Sequence, residues 1–395
     1  MVRMALRRSD LETLRRWLVD ARHVNDGGET FLRGLVAELR ARGLPLWRAS
    51  ICLLTMHPEV FWRNVQWYEG DEIKVFPRRH EVLGTPYFTT SPIVAIRRGE
   101  APIRVPLRPG PLPFPVCEDL RARGGTDYFV HGLPFSNGEI SYASWSTRDP
   151  AGFDDESCAA LELLAPDLGR RVELESAYYG TRSLLEVYLG GNAARRVLAG
   201  AFRRGEGELL EAAIWFCDMR DFTSTSDRAP PGDVVRMLDA YFERVAGAIA
   251  DHGGEVLKFV GDAVLAIFPV DAARDAKSAC RSALEAARAG LSALGELSAE
   301  RERAGLAPLH IGVALHRGQV MYGNIGGRDR LDFTVISSSV NEACRLEALC
   351  KPLGTSLVLS DAFVRAAQAD GVVDLGLHPL KGVADPVRVY SLAPR

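Results

Sequence analysis

Two aspartates frame the chemistry open to this chain. Asp218 stands where the apolar run AAIWFCDM gives out. A carboxylate at the end of a buried strand projects into a cleft and can hold a hard cation. Asp262 lies in KFVGDAVLAIF, which reads as two short apolar strands joined by a Gly-Asp turn. Taken singly, Asp218 reads equally well as the residue that ends a strand, and Asp262 as ordinary turn chemistry. In a meander the two would be neighbours, and carboxylates at contact distance repel unless a cation lies between them. Such a pair suits Mg²⁺ or Mn²⁺ rather than zinc. The amides around Phe222 and Thr223 are placed to meet phosphate oxygens where the chain turns toward its next helix.

Lys258 sits four residues before Asp262 in the same hairpin. Either the two pair with each other, or each takes a partner elsewhere. Asn341 and Arg345 are four apart in a helical segment and so share a face. Arginine suits phosphate oxygens and asparagine orients a sugar or a backbone, although the pair alone is equally a solvated helix face.

These residues need a scaffold, and 395 residues predict two domains. Apolar residues at 47% and charged residues at 25% give ordinary globular composition. A net charge of −3 argues against a general binder of nucleic acid or acidic membranes. No apolar run approaches the ~18 residues of a membrane span, and the basic, amphipathic start MVRMALRRSDLETLRRW lacks a signal-peptide core. The seven cysteines show no CxxC pair, which predicts free buried thiols and a cytoplasmic protein.

Helical periodicity runs from about Asp10 to Arg42, with a break near Asn25-Asp26-Gly27-Gly28. From Trp47 to Trp145 the pattern is of short strands and turns, as in WRASICLL, WRNVQWYEG and PIVAIRRGE, with an Asn-Gly hairpin signal before ISYASWS. A helix is predicted from about Asp154, interrupted by Pro166, and a helical connector from about Val172 to Arg204. The aromatics Trp47, Trp62, Trp67, Tyr68, Phe88, Tyr128, Phe135, Tyr142 and Trp145 read either as core or as the lining of a ligand pocket. From Glu206 onward come the strand ending at Asp218, a helix over Asp233–Asp251, the hairpin, and a helix over Ala272–Arg303. Two strands (LHIGVAL and QVMYGNIG) follow, then DFTVI, a helix over Val340–Cys350, the strand SLVLS, another helix and a closing strand PVRVYSL. The order strand-helix-strand-strand-helix-strand predicts an α+β, ferredoxin-like antiparallel sheet with flanking helices.

The runs FCDMRDFT, KFVGDAVLAIF, GVALHRGQVMYGNIG and DFTVISSSVNEACRLE occur in the order and spacing of class III nucleotide cyclases, which residues 206–395 resemble. The resemblance implies two Mg²⁺ or Mn²⁺ ions held by Asp218 and Asp262, with Met219 beside them. It assigns Lys258 and Thr334 to the adenine ring of ATP, Asn341 to the ribose, Arg345 to charge on the phosphate in the transition state, and Lys381 to the β- and γ-phosphates. It implies cyclic AMP synthesis at sites shared by the two chains of a homodimer, so that Lys258 and Asp262 of one chain serve different sites and stay unpaired. A guanylate or dual-specificity cyclase, or a silent nucleotide-sensing module, are the alternatives. Asp221 departs from the Gly frequent among relatives, and Ser337-Ser338 from Gly-Asp. Residues 1–175 resemble a GAF-like sensor domain in their order of elements, which implies a small-molecule signal, with 176–205 as the linker.

Overall fold

The computed structural model describes residues 8–20, 27–383 and 385–393. The chain divides into two compact units, Met1–Leu184 and Leu185–Arg395.

The first unit opens with α1 (Arg8–Val19) and α2 (Gly27–Ala41). They are separated near the predicted break, where Asn25 and Asp26 lie outside the described residues, as do the first seven residues of the basic N-terminal stretch. There follow β1 (Arg48–Leu54), β2 (Val60–Tyr68), β3 (Lys74–Arg79), α3 (Pro86–Thr89), α4 (Pro92–Arg97), β4 (Ile103–Pro106), α5 (Pro115–Ala122), β5 (Asp127–Pro134), β6 (Ile140–Thr147) and α6 (Asp155–Leu189). The strands form one sheet in the order β3-β2-β1-β6-β5-β4, antiparallel throughout.

Side chains alternate across the pleat. Ala49, Ile51 and Leu53 of β1 join Leu14, Leu32, Leu35 and Leu161 in a core shared with α1, α2 and α6. Cys52 faces the other way, into a second core with Trp62, Ile96, Cys117, Tyr128 and Tyr142. Two local expectations are corrected. PIVAIRRGE contains a helix, α4, because Ser91 in extended conformation followed by Pro92 at the first helical position starts one. Pro166 does not interrupt α6, which runs through it. The proline is exposed, so its missing amide bond leaves no buried carbonyl group to satisfy.

The second unit comprises α7 (Gly191–Leu198), β7 (Gly207–Met219), α8 (Phe222–Ser226), α9 (Pro231–Asp251), β8 (Glu255–Val260), β9 (Ala263–Pro269) and α10 (Ala276–Arg303). After these come β10 (Ile311–Gly326), β11 (Leu331–Ile336), α11 (Ser338–Glu347), β12 (Leu357–Ser360), α12 (Asp361–Ala367), β13 (Val372–His378) and β14 (Val387–Leu392). The sheet order is β13-β14-β12-β10-β7-β9-β8, with β11 on β10. Its centre, β10-β7-β9-β8, has the fourth, first, third and second strands of a strand-helix-strand-strand-helix-strand unit side by side and antiparallel, the ferredoxin-like arrangement. The two strands predicted over LHIGVAL and QVMYGNIG are one, since β10 pairs with β7 without a break from Ile311 to Gly323. β13 carried no strand signal in the sequence analysis; all of its residues are at least partly exposed. All seven cysteines are free thiols. Among the described residues no helix is long and apolar enough to cross a membrane.

An interior proline costs a helix about 3 kcal/mol relative to alanine. Replacing exposed Pro166 with alanine is therefore expected to raise the thermal midpoint of the full chain by a few degrees, followed by circular dichroism. A lowered midpoint would show that α6 depends on the proline.

Candidate active site

The alternation of β7 decides where Asp218 points. Ala213, Trp215, Cys217 and Met219 pack against α9 and α10, while Ala212 and Ile214 pack on the opposite face with Phe333 and Val335 of β11 and Ala343 of α11. Asp218 therefore projects on the α11 face, one residue before the strand ends. Asp262 is the second residue of the two-residue turn between β8 and β9, where Val260 pairs with Ala263. Gly261 has φ +64° at the first turn position and Asp262 has no positive φ, the pattern of a type II′ hairpin.

The Met219 amide brings the two carboxylates together, donating to Asp218 Oδ1 at 3.1 Å and to Asp262 Oδ2 at 3.2 Å. Burial, then the hydrogen bond and negative charge of Asp262, push the Asp218 carboxyl up to about 6. Glu347, at the end of α11, packs its carboxylate against Gly312, the residue opposite Asp218 on β10. Burial and then the charge of Asp218 push Glu347 up to about 7, against a lowering by Arg220. Glu347 closes the run DFTVISSSVNEACRLE, yet only the fold reveals that it faces the aspartates. Among the described residues no three His, Cys, Asp or Glu side chains gather as a metal cage. Two carboxylates with the remaining places open to substrate phosphates and water is the usual provision for Mg²⁺.

Phe222 and Thr223 begin α8, and no side chain caps that helix. Asp221 before them has φ +57°, the left-handed region that favours glycine, and its carboxylate meets Lys351 Nζ at 2.9 Å. The departure from glycine at this position is thus tolerated by a residue type that visits that region more readily than most.

Lys258 is not left unpaired: its Nζ lies 3.0 Å from Asp332 Oδ2 of β11. This corrects the expectation, implied by the resemblance, that Lys258 stays unpaired; of the two readings of the hairpin itself, the partner elsewhere holds and Asp262 is not the partner. Thr334 is two residues from Asp332 on β11 and so on the same face of that strand. It is 5% exposed and its Oγ1 has no hydrogen-bond partner. The fold thus brings Lys258 and Thr334 to one place through Asp332, a residue the sequence analysis did not single out.

Ser337 caps α11, its side chain accepting from the Val340 amide at 3.1 Å, which accounts for serine where glycine is usual. Asn341 is exposed and Arg345 half-buried. Among the described residues no carboxylate pairs with Arg345; a Cβ at Gly382 would lie 3.5 Å from its Nη2. Arg345 and the exposed Lys381, which precedes Gly382, therefore meet at one turn. Arg345 and Glu347 flank buried Leu346 by about 100° on either side. Arg345 and Glu347 hence leave α11 on opposite sides. No hydrogen bond or ion pair among the described residues joins the aspartates, the Lys258 group and the Arg345 group.

Comparison with known proteins identifies this unit. The family model for the adenylate and guanylate cyclase catalytic domain matches residues 207–372. The chain is 34% identical over 196 residues to an adenylate cyclase of Anabaena cylindrica, covering 48% of this chain and 38% of that protein. It is 36% identical over 187 residues to adenylate cyclase 1 of Rhizobium meliloti, covering 46% and 27%. The crystal structure of the guanylyl cyclase Cya2 is 32% identical, with a TM-score of 0.42 over 47% of this chain and 92% of that one. The C-terminal unit is a class III adenylate/guanylate cyclase catalytic domain. The chain spans roughly a third of the length of the two curated relatives.

A carboxyl whose pKa is raised by folding stabilises the chain only while protonated, so its contribution is present below the ordinary carboxylate range and lost as pH rises through about 6. Above that pH the metal-free pair is a liability. Asp218→Asn is expected to raise the thermal midpoint of metal-free chain at neutral pH and to leave it unchanged at low pH. A lowered midpoint at neutral pH would contradict the repulsion.

Proposed function

We propose that this chain is an adenylate cyclase that converts ATP to 3′,5′-cyclic AMP and pyrophosphate, at two equivalent sites formed between two copies of the chain. The observation that carries this reading is the carboxylate pair around the Met219 amide. A donor set of hard oxygens fits two Mg²⁺ or Mn²⁺ ions, and the raised Asp218 carboxyl is what a site built for a cation presents without one. When bound, the ions supply Lewis-acid activation of the ribose 3′-hydroxyl and neutralisation of the triphosphate.

The chain's own residues position and neutralise. Asp218 and Asp262 hold the cation end of the triphosphate, with the backbone of Met219 completing that wall. The amides of Phe222 and Thr223 meet phosphate oxygens as the chain enters α8. Asn341 orients the ribose. Arg345 and Lys381, gathered at the Gly382 turn, bind phosphate, and Arg345 acts on the charge that develops at the α-phosphate.

Base choice follows from donors and acceptors. Lys258 can only donate, which suits adenine N1, and the orphaned Thr334 hydroxyl can accept from the N6 amine. Lysine has three N–H donors, so Lys258 can keep Asp332 and still reach the base. Guanine presents the reverse pattern at both edge positions.

The opposite directions taken by Arg345 and Glu347 support a site completed by a second chain. The N-terminal unit, GAF-like in its order of elements, is read as the regulatory domain.

Purified full chain is expected to form cyclic AMP from Mn²⁺-ATP in preference to cyclic GMP from Mn²⁺-GTP; the reverse preference would make it a guanylate cyclase, and no product at all would leave a silent module. Exchanging both base contacts, Lys258→Glu with Thr334→Cys, is expected to lower ATP turnover by at least about tenfold; full ATP activity would refute this account of base recognition. Mixing inactive Asp218→Ala with inactive Asn341→Ala protein is expected to restore activity at one site per mixed dimer. Its failure to do so would argue for sites built within one chain.

A further inference from the structure

The first unit contains a partly open cavity of about 60 Å³ on the sheet face turned away from α1, α2 and α6. Its floor comes from the side of the strands that the alternation leaves free. Arg48 and Ser50 of β1 are joined there by Ser144 of β6, directly opposite Ser50, and by Trp62 of β2. Phe88, Ile93 and Val116 supply an apolar roof from α3, α4 and α5. Four of the aromatics noted in the sequence, Trp62, Phe88, Tyr128 and Tyr142, line it, while Trp67, Phe135 and Trp145 pack in the other core.

The decisive group is Arg48. Its side chain is buried, with the residue 4% exposed. Nη1 donates to Ser144 Oγ at 2.9 Å, and Nε has no partner. No acidic residue lines the cavity, and among the described residues no carboxylate forms an ion pair with Arg48. A guanidinium cannot escape by losing its proton, and a buried charge without a counter-charge is strongly unfavourable. Half-buried Arg78 at the same cavity adds positive charge, and no acidic residue of the lining offsets it. In the lining of the same cavity, Ser50 Oγ, Trp62 Nε1 and Ser91 Oγ are also buried without partners. Four orphaned polar groups facing one cavity are an uncommon concentration, because buried polar atoms are nearly always satisfied.

We propose that this cavity is a binding site for a small carboxylate with a compact apolar body, the carboxylate taking the free edge of Arg48 and the body lying against Trp62 and Phe88. One buried guanidinium balances one negative charge, and its planar fork matches a carboxylate in two parallel hydrogen bonds. The hydroxyls of Ser50 and Ser91 and the indole N–H of Trp62 can donate to the remaining lone pairs. By the same measure a single water takes roughly 10–15 Å³, so the cavity has room for about four to six water-sized spheres. That admits a body of one ring or a short branched chain. The inference does not depend on the cyclase reading, since it concerns binding to the first unit alone.

The test uses the whole 395-residue chain and three probes: benzoate, its neutral counterpart benzamide, and inorganic phosphate as a bare anion. Binding is followed by thermal shift and calorimetry at equal concentrations. Benzoate is expected to raise the midpoint, while benzamide and phosphate leave it unmoved. Arg48→Met is expected to weaken benzoate binding by about a hundredfold. Without ligand, the same variant is expected to be at least as stable as the native chain, because it removes an unpaired buried cation. Ser50→Ala, which leaves the arginine in place, should weaken benzoate by several-fold and keeps the test open should Arg48→Met not fold. The proposal is overturned if benzoate gives no shift, if benzamide or phosphate binds as well as benzoate, or if Arg48→Met binds benzoate as the native chain does.

Discussion

Two negative charges held around a single amide are the constraint on which the C-terminal unit turns. A lone carboxylate at a strand end could relax into solvent. Asp218 and Asp262 cannot both do so, because the Met219 N–H holds one oxygen of each. That arrangement needs β7 and the β8–β9 hairpin in fixed register, which the pairing of Cys217 with Val264 and of Val260 with Ala263 provides. It also needs β7 not to bend. Trp215 and Cys217 are fully buried against α9 and α10 on one face, and Ile214 against β11 and α11 on the other. The core of the cyclase domain is in this sense the clamp that keeps two like charges together.

The remaining charges are distributed so that none cancels this pair. The cation nearest Asp262 in sequence, Lys258, is drawn to Asp332 on β11. An exposed pair of this kind contributes at most ~1 kcal/mol, so it restrains the lysine without committing it. Arg345 has no acidic partner among the described residues and leaves α11 on the side away from Glu347. No hydrogen bond or ion pair among the described residues joins Arg345 to the two aspartates. The first unit repeats the device in miniature: Arg48 is buried with no acid to meet it.

Much of the catalytic unit was legible because its signals are local. The period of α9, the Gly-Asp turn and the buried strand before Asp218 each depend on neighbours in sequence, and the helices and strands lie close to where the patterns put them. What escaped depends on distance in the chain. Asp332 is 74 residues from Lys258, and no periodicity joins them. Glu347 reads as a helix-end acid until β10 sets Gly312 beneath it. Local rules also misled where context overrode them. Pro166 should break a helix, yet it sits exposed in α6; LHIGVAL and QVMYGNIG read as two strands, yet β7 holds β10 straight through both. The aromatics of the first unit were visible in sequence, but that they surround a buried arginine is a property of the sheet's alternation.

The carboxylate pair itself is most directly tested by Mn²⁺ titration of the full chain, by calorimetry or electron paramagnetic resonance, on either side of pH about 6. Cation and proton compete for the same oxygens, so affinity is expected to hold above that pH and to fall by about tenfold per pH unit below it. Asp262→Asn is expected to abolish both the binding and its pH dependence. Equal affinity on both sides of pH about 6, or undiminished binding in that variant, would contradict the account of Asp218 and Asp262 as a cation site.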